Sequence, residues 1–97
     1  MATFSLTRKA KFDLKSIAAY TQKKWDIEQR RIYMLQLDTA FHALAKKPET
    51  GMECDSIKSG YRKYRVMNHI IFYRNKSTPE IEIVRVLHKR MDANLKF

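Results

Sequence analysis

The sequence predicts an α+β fold of order β-α-α-β-β-β, in which an antiparallel sheet carries an N-terminal helical hairpin packed on one face. Two observations lead there. Up to residue 47 the apolar residues recur at steps of three and four, and after residue 60 they fall in short runs rich in β-branched and aromatic side chains. The connections between the later runs are too short for crossovers, so those runs should pair as an antiparallel meander. A chain of 97 residues, 44% hydrophobic and 11% aromatic, is expected to form one domain over 1–97 around a single core.

Each element has its own warrant. Residues 2–6 read as a short strand, with Phe4 and Leu6 alternating against polar neighbours. Thr7 suits the N-cap of a helix from Arg8 to about Lys24, whose stripe is Ala10, Leu14, Ile17, Ala18, Thr21 and Trp25. Trp25 closes that stripe and is expected to pack between hairpin and sheet, with a partner contact as the other reading; Tyr20 and Tyr33 are read the same way. Asp26 followed by Gln29 resembles a capping box and opens a second helix over about Ile27 to Lys46, with Tyr33, Leu37, Ala40, Phe41 and Leu44 as its stripe. Lys46 and Lys47 favour the negative end of its dipole, and Pro48 stops it. So short a break between two long stripes implies an antiparallel helical hairpin.

Residues 48–60 read as a loop punctuated by Pro48, Gly51 and Gly60. Three strands follow: Tyr61 to Val66, then His69 to Arg74 after a tight Met67-Asn68 connection, then Ile81 to Leu87 after a turn around Asn75–Pro79. The tail from His88 to Phe97 is expected to form one helical turn or to lie irregular.

Charge narrows the function classes. The chain carries 20 Lys and Arg against 10 Asp and Glu, a net charge of +10. Residues 1–55 hold 10 basic and 7 acidic groups, whereas residues 56–97 hold 10 basic and 3 acidic groups. The second half therefore attracts something anionic: nucleic acid, an acidic protein segment or a protein–DNA complex. The bland reading is lysine kept for solubility.

The single cysteine, Cys54, excludes an internal disulfide, suits a reducing cytoplasm and reads as an ordinary loop residue. The first residues lack the apolar core of a signal peptide, and the longest apolar run, Ile70-Ile71-Phe72-Tyr73, is far short of a membrane span. The expectation is a cytoplasmic protein with no membrane partner. Three histidines with no carboxylate at ligand spacing argue against a metal site, and no motif calls for a cofactor.

Gly60-Tyr61-Arg62, then His69-Ile70-Ile71-Phe72-Tyr73-Arg74, then Ile83-Val84-Arg85-Val86-Leu87-His88-Lys89-Arg90-Met91-Asp92 stand in an order and spacing that resemble the ParE branch of the ParE/RelE toxin superfamily. Trp25 at the helix break, Tyr33 in the second helix, and Pro48 and Gly51 in the loop extend the likeness over nearly the whole chain. The chain departs from the family pattern at Asp26, where glycine is common, and at Met67-Asn68, where a glycine-containing turn is usual. The resemblance implies a toxin that inhibits DNA gyrase by stabilising its cleaved-DNA state and is neutralised by a ParD-like antitoxin whose flexible C-terminal segment wraps it. On that reading the toxin is not an enzyme, and it meets nucleic acid only within the gyrase–DNA complex.

RelE-like relatives share the fold but cut messenger RNA on the ribosome, so fold alone does not decide the function. Cleavage by 2′-hydroxyl attack needs a base, a cation for the developing charge and an acid for the leaving oxygen. His69 stands where RelE-like sequences hold an arginine, Arg90 matches a RelE-like arginine, only Lys63 has the character of the paired lysines, and the tail offers no tyrosine. The set is incomplete. Read from residues alone, His69 and His88 near two strand ends could flank a phosphate with Lys63 or Arg90, although strand histidines are commonly structural, as His42 in its helix is expected to be.

Two surfaces remain as candidates. Arg62, Arg65, Arg74 and Arg85, with Trp25, form a candidate platform for an acidic antitoxin segment; Arg62 and Arg65 must point opposite ways on one strand. The tail residues Arg90, Met91, Asp92, Leu95, Lys96 and Phe97 are the candidate gyrase contact that the resemblance implies, against a frayed terminus. Three functions therefore compete: a gyrase poison, a RelE-type ribonuclease, and a basic nucleic-acid-binding module without toxicity.

Overall fold

The computed structural model describes residues 2–77 and 79–97. The chain runs β1 (Thr3–Leu6), α1 (Arg8–Lys24), α2 (Ile27–Lys46), a 3-10 turn (Pro48–Thr50), β2 (Met52–Glu53), β3 (Tyr61–Val66), β4 (His69–Ser77), β5 (Glu80–His88) and a second 3-10 turn (Ala93–Leu95). Thr78, in the expected turn between the last two strands, lies outside the described residues.

Local chemistry sets the helix ends. The Thr7 hydroxyl accepts from the Ala10 amide at 3.0 Å and donates to the Val84 carbonyl at 2.7 Å, so one side chain caps α1 and ties it to β5. Asp26 caps α2 by accepting from the Gln29 amide at 2.7 Å. The hairpin buries Ala10, Ile17, Leu37, Phe41, Leu44 and Ala45 against Ile71, Tyr73, Ile81, Ile83 and Val86 of the sheet. This is the expected hairpin-on-sheet architecture.

The sheet has five strands in the order β1-β5-β4-β3-β2. The meander β3-β4-β5 is antiparallel, as expected. The sheet as a whole is mixed rather than wholly antiparallel, because β1 pairs parallel to β5, Thr3 against Glu80 through Leu6 against Ile83. The whole chain between the two strands acts as the crossover that a parallel pair needs. The loop after α2 also contributes a strand that sequence pattern missed: Met52 and Glu53 pair with Lys63 and Arg62. Two residues carry too little periodicity to be read.

That loop is pinned from beneath. The buried Tyr73 hydroxyl donates to the Pro48 carbonyl at 2.6 Å and accepts from the Gly51 amide at 2.8 Å. A Cβ on Gly51 would lie 2.8 Å from the Tyr73 ring, so only glycine fits. At the β3–β4 turn, Met67 sits at φ 55°, the left-handed region that favours glycine.

A register shift in β5 changes which of its side chains face the helices. Phe72 pairs with Arg85 but Tyr73 pairs with Ile83, which leaves Val84 as an extra residue. Ile83 and Val86 consequently both face the helices, while Val84 and Leu87 join Tyr61, Phe72 and Cys54 on the opposite side.

Candidate functional site

Arg85 sits at this bulge, beyond the end of β1. Its Nε and Nη2 donate to the two Asp13 carboxylate oxygens at 2.8 and 2.7 Å, and Asp13 also accepts from the Val86 amide at 3.0 Å. Both side chains are nearly enclosed, and Asp13 holds the Arg85 guanidinium above its usual pKa. A third nitrogen, Nη1, reaches the Lys96 carbonyl at 3.3 Å. One arginine thus joins α1, β5 and the tail. Asp13 was missed in the sequence, although it falls three residues after Ala10 and four before Ile17, inside the apolar stripe of α1.

The tail is ordered by this clamp and by its own turns. Asp92 accepts from the Asn94 amide at 3.0 Å and caps the last 3-10 turn. Phe97 packs edge-on against Tyr61 and Phe72, with ring centroids 5.8 and 5.1 Å away. Ala93 joins the same cluster, whereas Leu95 is 80% exposed. Arg90, Asp92 and Lys96 are also exposed. Met91 departs from the group: it lies on the helix-covered side, in a pocket described below.

The four sheet arginines have separate environments. Arg62 donates to the Gly51 carbonyl at 2.7 Å and pairs with Glu53, and Arg74 pairs with Glu82 at 2.9 Å. Arg65 donates through Nε to the Met67 carbonyl and is exposed. By strand alternation Arg65 shares the helix-free face with Tyr61 and Lys63, while Arg62 points the other way.

Trp25 corrects the expectation of core packing. It is 67% exposed, and Tyr20 is 62% exposed. Helix α1 ends at Lys24, and Trp25 is its C-cap with φ -113° and ψ -88°, so the four-residue step from Thr21 no longer keeps its side chain on the helical stripe. Both rings instead line a pocket of about 370 Å³ with Ile17, Thr21, Tyr33, His69, His88 and Met91, edged by Ser16, Gln29 and Asn68.

The two strand histidines meet here, ring centroids 5.3 Å apart, where they pair across β4 and β5. His69 Nδ1 shares a hydrogen bond with the Tyr33 hydroxyl, and His88 Nδ1 accepts from the Arg90 amide at 3.1 Å. Burial, then the neighbouring His88, push His69 down to about 4 against a weaker opposing pull from Asp13. Burial pushes the Tyr33 phenol up, against a smaller effect of the Asn68 backbone, so it stays protonated. With both groups neutral, Tyr33 donates, Nδ1 accepts, and the His69 ring proton sits on Nε2.

Lys63 is not part of this group. It shares the helix-free face with Tyr61, across the sheet from His69 and His88. Cys54 is buried beside it, with its thiol pushed up chiefly by burial, which makes it a poor nucleophile. His42 is exposed and pairs with Asp38 on its own helix. Among the described residues no cluster of three or more His, Cys, Asp or Glu could hold a metal ion. Nor is any described helix long and apolar enough to cross a membrane.

A mixed five-stranded sheet under a helical hairpin, with a clamped basic tail, is a fold seen before. A solved structure titled "Chromosomal ParDE TA system from P. aeruginosa" superposes with a TM-score of 0.77 at 22% identity, over 91% of this chain and 96% of that one. The sequence matches the family described as "ParE toxin of type II toxin-antitoxin system, parDE" over residues 4–93, and the chain belongs to that family. It is 34% identical to Toxin ParE1 of Caulobacter vibrioides, over 96% of this chain and 95% of the relative. It is 36% identical to Toxin ParE1 of Mycobacterium tuberculosis, over 94% and 93% respectively. Toxin ParE of Escherichia coli is 28% identical over 95% and 89%.

Proposed function

We propose that the protein is a non-enzymatic toxin that binds DNA gyrase and stabilises its cleaved-DNA complex, and that a ParD-like antitoxin silences it in the cytoplasm. The observation that carries this reading is the match to the toxin family over residues 4–93, which includes the start of the tail. The ribonuclease alternative is weakened by the geometry. An imidazole held at about 4 is a poor base near neutral pH, and Lys63 stands across the sheet from it.

The gyrase contact on this reading is the exposed part of the tail, Arg90, Asp92, Leu95 and Lys96, with Met91 and Phe97 seating it at either end. The antitoxin contact is the helix-free face and its rim, where Arg65 and Lys63 are the least engaged cations. Arg62, Arg74 and Arg85 contribute through their existing ion pairs, and Trp25 offers an exposed ring on the hairpin side. An acidic segment that folds on docking there would associate more slowly as salt is raised.

The test mixes purified protein with gyrase, supercoiled plasmid and ATP, then traps covalent complexes with detergent. Linear DNA is the expected product, lost on deletion of residues 91–97 and reduced by Leu95→Asp, a change at an exposed position that spares the Phe97 packing. No linear DNA from folded protein would overturn the reading and direct attention to RNA cleavage on ribosomes, with Arg90→Ala as the control.

A further inference from the structure

We infer that the pocket between the helical hairpin and the ends of β4 and β5 receives a single unpaired nucleobase of a nucleic-acid strand. The inference concerns the toxin alone and does not depend on gyrase being its target.

Four features of the pocket converge on this ligand. Its volume of about 370 Å³ falls in the range of small-ligand sites. Trp25 and Tyr20 line it as largely exposed rings that contribute little to the core, which suits a stacking platform. Its wall is mainly apolar with a few polar points: Ser16, Gln29 and Asn68 edge it, and the two imidazoles line it with their Nδ1 atoms already engaged. The flat face of a base can cover the apolar wall while its edge offers donors and acceptors to the polar points, which a purely apolar group would leave without partners.

Cations flank the opening on two sides. Lys24 places Nζ 3.3 Å from the Tyr20 hydroxyl and 5.7 Å from the centre of its ring. Lys89 and Arg90 follow His88 on the lip formed by β5 and the tail, where phosphates on either side of a bound base would lie. The nearby carboxylates are engaged elsewhere: Asp13 with Arg85, Asp26 at the start of α2, and Asp92 in the tail turn. A base stacked within a duplex does not offer its face, so the strand must be single at that point.

The protein carries its own probe, since Trp25 is its one tryptophan. A short single-stranded DNA oligonucleotide titrated into the toxin at low salt is expected to quench Trp25 fluorescence. An abasic strand of equal length and charge, and a duplex of the same sequence, are expected to bind at least about fivefold more weakly, the lower end of what one stacked base contributes. Tyr20→Ala, at an exposed position, is expected to weaken the single strand by a similar factor without changing binding of the abasic strand. Equal binding of single and abasic strands would overturn the inference and reduce the site to a charged surface. Equal binding of the duplex would also overturn it. So would the absence of quenching, the result expected if the pocket instead takes a protein side chain.

Discussion

The two faces of the sheet are closed by different means. On one, two helices bury Leu37, Ile71, Ile81 and Ile83 completely. On the other, a smaller cluster around Tyr61, Phe72 and Leu87 is covered by a loop and by one turn of tail ending in the half-exposed Phe97. The first face is structure. The second is a thin lid of the chain's own last residues, whose outward side chains Arg90, Asp92, Leu95 and Lys96 are exposed. Arg85 joins the two, gripping Asp13 in the helical layer and the Lys96 carbonyl in the tail.

Breaking that joint should have the largest effect. Asp13→Asn leaves the nearly enclosed Arg85 guanidinium without its counter-charge, and should cost about 3–5 kcal/mol in urea denaturation. A loss below about 1 kcal/mol would mean that the layers are held by apolar contact alone.

Acid should next unseat the hairpin from the strand ends. The unfolded chain protonates His69 near its ordinary value of 6.5, while the folded chain resists until about 4. As pH falls, the unfolded state takes the proton first, so stability is full above about pH 6.5 and is lost towards pH 4, by up to roughly 3 kcal/mol. Comparing denaturation across this window with that of His69→Gln isolates the contribution. Equal pH dependence in the two proteins would remove His69 from the account.

The thin face should respond least. Phe97→Ala removes one ring with two edge contacts from a half-exposed site, and should cost about 1 kcal/mol in a thermal melt. A loss as large as that for Asp13→Asn would show the tail to be part of the core rather than a lid.

Much of this architecture is legible in the sequence. Thr7 and Asp26 cap the two helices as their side-chain chemistry requires, and Pro48 follows the end of the second. The meander was readable because β-branched and aromatic runs with short connections leave few alternatives. The candidate site was less legible. Asp13 carries no local signal of its role, since its partner lies 72 positions away. A regular period extends the stripe to Trp25, but the helix stops at Lys24 and the period alone does not record where it stops.

The sequence by itself determined the two helices with their ends, the first strand and the three strands of the meander, the basic second half and the family, but not β2 or the full length of β4. These follow from near-neighbour periodicity, capping chemistry and the ordered motifs. Tertiary structure decided the rest. It made β1 a parallel edge strand, brought His69 and His88 together beneath Tyr33, placed Lys63 on the other side, and folded Phe97 back over Tyr61. The physical reason lies at the bulge in β5. One extra residue, Val84, reverses which side chains face the helices, and it turns Arg85 toward both Asp13 and the tail. A change of face by one residue depends on pairing with a distant strand, and no local pattern records it.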